Sequence, residues 1–181
     1  MEKIKDDGII ICPGCGLQLA KKSIDSSKIY NASGECFELY GELSSYTLTE
    51  ASHEFIHQHV VDAYGAQHSG GITKNITTMY ALVGLCLMID HGLTGKQVQK
   101  VHMRMPKRKW EKLDAPADYK WMTIRDVLQA KSPSERRVLI RQWAISVWNG
   151  WRKYHDYIGN IANKYILLLE YKNDYRIFPN N

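Results

Sequence analysis

The sequence predicts a mainly α, single-domain helical bundle with a small cysteine-bearing module at its N-terminus. From Ser33 onward, apolar residues recur every three or four positions between capping residues, the period of amphipathic helices. Ahead of them, two short apolar pieces flank Cys12-Pro13-Gly14-Cys15-Gly16, which suits strands joined by a tight turn. A length of 181 residues, 44% hydrophobic and 24% charged, supports one sizeable core rather than two domains. The same balance excludes a disordered chain, a collagen-like repeat and a disulfide-dense mini-protein.

The elements follow in order. Residues 8–20 form a short strand, a turn and a second short apolar piece, and the polar stretch 21–34 forms a loop. The first helix starts near Ser33 or Glu35 and carries Phe37, Tyr40, Leu43, Tyr46 and Leu48. The second starts near Thr49, Ser52 or His53 and should stop near Gly65, with Gly70-Gly71 confirming the break. A third, from about Thr77 to Asp90, is apolar nearly all round and therefore buried. The fourth opens at Thr94-Gly95-Lys96 and is closed by Pro106. Residues 106–121 make a basic, proline-containing connection. Thr123 caps a short helix to about Ala130, and Ser132-Pro133-Ser134-Glu135 caps a long one. In that long helix Ile140, Trp143, Ala144, Val147, Trp148 and Trp151 form one apolar stripe, and a last helix runs from about Tyr157 to Lys172 through Leu168-Leu169. The total is six or seven helices on one core. Residues 1–34 form the N-terminal segment and loop, and residues 35–181 form the helical domain, joined as one structural unit.

No apolar run reaches the ~18–20 residues of a membrane span. The longest, Tyr80 to Ile89, ends at Asp90-His91-Gly92 and reads as a core helix. Asp6 and Asp7 ahead of a short apolar stretch make a poor export signal, so a cytoplasmic location without a membrane partner is expected. In a reducing compartment four cysteines bind metals more often than they form disulfides. A net charge of +5 allows a nucleic-acid partner but does not argue for one.

The CPGCG string is the most specific signal. Two thiolates two residues apart grip one zinc ion only if the backbone between them turns sharply. Pro13 fixes the entry, while Gly14 and Gly16 permit positive backbone angles and free their amides to face the sulfurs. A thioredoxin-like role would need this pair to open a helix, and Leu17-Gln18-Leu19 before Lys21-Lys22-Ser23 is a poor helix start. Two cysteines do not complete a tetrahedral site. Cys86 lies inside the most apolar helix and reads as a small core residue. Cys36 opens a helix, where the dipole favours a thiolate, and is the best third ligand. The fourth should be a histidine.

Four of seven histidines, His53, His57, His59 and His68, fall close together in and after the second helix. His53 and His57 share one face, and His59 and Asp62 another; His57 and His59 lie about 200° apart and cannot serve one ion. CPGCG, a cysteine opening a helix, Val61-Asp62-Ala63-Tyr64-Gly65-Ala66-Gln67-His68 and a tryptophan-rich helix before His155 together resemble a family of small, uncharacterised bacterial proteins, a domain of unknown function. The match extends from Cys12 to about His155. In that pattern a histidine five residues before the aspartate corresponds to His57, and a Pro-Gly pair often follows the QH, where Ser69-Gly70 stands here. The resemblance implies metal binding and brings no established activity with it.

Two ligand sets are then open. In the preferred one, Cys12, Cys15, Cys36 and His57 close a structural Cys3His zinc site. In the other, His68 replaces His57, and Asp62 accepts from the histidine to orient it. A separate open site from Asp62, His68 and His102 would resemble a DinB-like metalloenzyme arrangement, with Tyr64 and Gln67 positioning a substrate.

Arg104, Lys107, Arg108, Lys109 and Lys112 surround Trp110, so the 104–112 segment could hold nucleic acid by phosphate contacts and stacking. Glu111, Asp114 and Asp118 interrupt the run and disfavour that reading. The leading expectation is therefore a zinc-binding helical accessory or interaction module with a protein or small-molecule partner. A metal-dependent hydrolase or transferase and a nucleic-acid-binding module are the alternatives.

Overall fold

The computed structural model describes residues 8–50, 54–117, 120 and 122–174, with side chains through Leu167. Ser52, His53, Asp118 and the side chains of Leu168 and Leu169 lie outside the described residues. Two short strands, β1 (Ile9–Ile11) and β2 (Gln18–Ala20), pair antiparallel with Ile10 opposite Leu19. Seven α-helices follow among the described residues: α1 (Gly34–Thr49), α2 (His57–Gln67), α3 (Asn75–Ile89), α4 (Gly95–His102), α5 (Ile124–Leu128), α6 (Pro133–Gly150) and α7 (His155–Asp174). A single 3-10 turn, Arg152–Tyr154, links the last two. No described helix is long and apolar enough to cross a membrane.

The caps anticipated from the sequence are present. Ser33 accepts from the Cys36 amide, Thr94 and Gln97 form a reciprocal capping box, and Ser132 accepts from the Glu135 amide. α2 is the central element. It packs most extensively on α3 and also touches α1, α4 and α6, while α7 covers α3. Its sequence looks only weakly amphipathic because Val60, Ala63, Tyr64 and Ala66 bury nearly its whole circumference. Trp143, Trp148 and Trp151 are buried as the stripe on α6 requires. The Trp143 indole donates to Gln67 Oε1 at 3.0 Å, and Trp148 donates to Asp90 Oδ1 at 3.3 Å.

α2 departs from expectation at both ends. It begins only at His57, because Phe55 has φ +53°, a left-handed conformation that no continuing helix accepts. Gly65 does not terminate it. That glycine sits mid-helix against α3, where an added Cβ would stand 3.2 Å from the Ala81 Cβ. It is a close-packing residue, and the helix continues to Gln67.

Candidate metal centre

The N-terminal hairpin turns at the knuckle. The Cys12 amide donates to the Leu17 carbonyl and the Gly16 amide to the Cys12 carbonyl, each at 2.9 Å, with Gly16 at φ +73°. Gly14 rests on the end of α2: an added Cβ would lie 2.7 Å from His68 Cδ2. Any side chain there would push the knuckle off the histidine.

Cys12 and Cys15 from the hairpin, Cys36 from the first turn of α1 and His68 from just past α2 converge, their ligand atoms all within 4.8 Å of one another. Cys15 Sγ stands 3.8 Å from Cys36 Sγ, and Cys36 Sγ 3.4 Å from His68 Nε2. A tetrahedron with bonds of ~2.3 Å to sulfur and ~2.0–2.1 Å to nitrogen has edges of about 3.8 and 3.5 Å. These two edges match, and the cluster could hold a metal ion. All four residues are buried, Cys36 and His68 completely.

The histidine is fixed for the task. Its Nδ1 lies 3.0 Å from the Tyr64 carbonyl, which assigns the proton to Nδ1 and leaves the Nε2 lone pair facing the sulfurs. Its ring stacks on Tyr64 at 3.9 Å, and Thr73 and the Asn31 amide hold its backbone carbonyl. The Tyr64 hydroxyl points at Cys36 Sγ, 3.7 Å away. Among the thiols, hydrogen bonds from Cys15 and then Cys36 hold Cys12 far below its ordinary value as a thiolate. The same sharing pushes Cys15 up to about 12, and Cys36 is raised as well. A dication among the three sulfurs would favour the thiolate form of all of them.

The preferred histidine of the sequence reading, His57, is not in this cluster. It stands at the opposite end of α2, about 16 Å along the helix axis from His68, and its Nδ1 meets Thr47 Oγ1 at 3.0 Å. Nor does Asp62 orient His68; the Tyr64 carbonyl does. Six helical positions place Asp62 and His68 about 120° apart, so Asp62, His68 and His102 do not form one site. Asp62 Oδ1 instead accepts from Gln58 Nε2 at 3.0 Å, and the same amide reaches His102 Nδ1 at 3.5 Å. Gln67 is structural, bridging Met122 and Trp143. Cys86 is a core residue, its thiol pushed up to about 12 by burial. His155 stacks on Trp148 and meets the Trp148 carbonyl at 2.9 Å. Trp110 is only 3% exposed, with Arg108 lying over its ring, so it offers no stacking face to solvent. Sequence reasoning missed Gln58, although its i, i+4 spacing to Asp62 is a readable signal, and missed Asn31 and Thr73, which carry none.

Burial holds the Asp62 carboxyl well above the usual carboxylate range, and Oδ2 has no hydrogen-bond partner. Such a carboxyl binds its proton more tightly in the folded chain than in the unfolded one. Its contribution is complete below the unfolded pKa, near 4, and is lost as pH rises above it. Asp62→Asn is therefore expected to be more stable than the wild type at pH 7 by about 1–3 kcal/mol, with the gain vanishing toward pH 4. Urea titrations across that range check it.

No curated protein and no solved structure matches the chain. One family model does, over residues 10–152, a span that includes Cys12, Cys15, Cys36 and His68, and by that match the chain belongs to DUF5946, a family of unknown function.

Proposed function

We propose that the protein is a zinc-stabilised helical accessory or interaction module whose metal is structural. The observation that carries this reading is the donor set: three sulfurs and one imidazole nitrogen from separate segments, all buried, with their ligand atoms within 4.8 Å of one another. Three cysteines and one histidine are a characteristic zinc set, and a catalytic zinc would keep one position open for water or substrate. Bound there, zinc would tie the hairpin, the start of α1 and the end of α2 together, joining the N-terminal segment to the helical domain. A reducing, cytoplasmic setting suits three metal-binding thiols. With Trp110 turned inward, a protein or small-molecule partner is favoured over nucleic acid.

The experiment compares two histidine variants. His68→Asn should lose the metal and lower the melting temperature by about 10 °C or more. His57→Gln should keep the metal and cost no more than about 1 kcal/mol. Equal metal loss in both, or retention in His68→Asn, would remove the basis of the proposal.

A further inference from the structure

Tyr64 reaches the metal centre through both its backbone and its side chain. It stands on α2 four residues before His68, so its carbonyl accepts the His68 amide at 3.0 Å and also faces Nδ1 at 3.0 Å. The phenol ring is fully buried and sandwiched. The His68 ring stacks on it at 3.9 Å and the Tyr40 ring at 4.2 Å, and two rings that close must occupy opposite faces. Tyr30 meets it edge-on at 5.2 Å. Held in this way, the ring directs its hydroxyl at Cys36 Sγ, 3.7 Å away and its one hydrogen-bond partner among the described residues.

That partner suits a buried hydroxyl only in one state of the sulfur. A thiol is a weak acceptor, and a buried O–H without a good acceptor destabilises the fold. A cysteine holds zinc as the thiolate, and an anionic sulfur accepts a stronger, charge-assisted hydrogen bond. The phenol oxygen is therefore matched to the metal-bound centre. Such a bond would fix the direction of the Cys36 sulfur and draw off part of its charge, as hydrogen bonds to coordinated sulfur do. A phenylalanine would fill the same sandwich, so stacking alone gives no reason for the oxygen.

We propose that Tyr64 is a positioning residue for the metal, its hydroxyl donating to the Cys36 sulfur and raising the affinity of the centre; this rests on the structural-zinc reading of that site. Zinc affinity is measured by competition with a chelator, and cobalt(II) at saturation reports the sulfur-to-metal charge-transfer band. Tyr64→Phe should bind zinc about tenfold or more weakly. Its cobalt band should move to lower energy, because a sulfur relieved of a hydrogen bond gives up charge more readily. Circular dichroism of metal-loaded Tyr64→Phe should match the wild type, since the stacking and the Tyr64 carbonyl persist. Tyr40→Phe removes a hydroxyl from the ring on the other face of Tyr64. It should stay within about twofold of the wild type in zinc affinity and leave the band in place. Unchanged zinc affinity in Tyr64→Phe would overturn the proposal, and so would a loss of affinity with the band unmoved. Zinc uptake by the wild type separates either result from a failure of the zinc reading. A wild-type chain that takes up neither zinc nor cobalt would overturn both.

Discussion

Replacing Cys36 with alanine is expected to unfold most of the protein at physiological temperature and to release its metal. Cys36 stands at the centre of the cluster, fully buried, 3.8 Å from Cys15 Sγ and 3.4 Å from His68 Nε2. Structural zinc sites contribute apparent free energies of about 10–16 kcal/mol at neutral pH, whereas the net stability of a domain is about 5–15 kcal/mol. Losing even half of the former exhausts much of the latter. The hairpin is especially exposed to this loss: its strands are three residues each, and Ile9 and Ile11 face solvent at 55% and 61% exposure, so it has little apolar burial of its own. Cys86→Ala is the control. It removes an equally buried sulfur from the core of α3, should cost about 1–2 kcal/mol, and should leave the metal in place. Circular dichroism melts with elemental analysis on both variants decide the matter; equal behaviour of the two would refute a structural site.

Gly84→Ala should be a strongly damaging single-methyl change in the helical core. An added Cβ at Gly84 would overlap Asp62 Oδ2 and Cγ and stand 2.9 Å from Oδ1. Asp62 cannot swing away without giving up Gln58, and both residues are buried on the face where α2 and α3 pack. Overpacking of this kind costs about 3 kcal/mol or more, with the loss of the Gln58 hydrogen bond in addition. The cost should disappear in the double variant Gly84→Ala, Asp62→Ala, where the methyl occupies the space the carboxyl vacates. Urea unfolding of the two single variants and the pair gives the coupling, which should be about 2 kcal/mol or larger. Additive effects would mean that α3 moves aside and that the Asp62 environment is softer than described.

Where the sequence was legible, local chemistry carried the information. CPGCG announces a metal-gripping turn by itself, and Ser33 two positions before Glu35 marks a helix start that places Cys36 in its first turn. The caps of α4 and α6 and the tryptophan stripe are readable for the same reason. The preference for His57 follows the family pattern, which has a histidine five residues before Asp62, whereas the histidine that meets the three cysteines is His68, just past the end of α2. Phe55 in a left-handed conformation and Gly65 packed on Ala81 are consequences of tertiary contact that no periodicity reveals. The angle of about 120° between Asp62 and His68 was available from helix geometry alone and already argued against one shared site. The contact of Gln58 with His102 was not legible at all, since it exists only once α2 and α4 are docked.

The central claim, one structural zinc held by Cys12, Cys15, Cys36 and His68, is tested most directly by X-ray absorption on protein purified without added metal, with elemental analysis of the same sample. One zinc per chain is expected, with three sulfurs at ~2.3 Å and one nitrogen at ~2.0–2.1 Å. Folded protein without metal, or a metal with no sulfur neighbours, would contradict it.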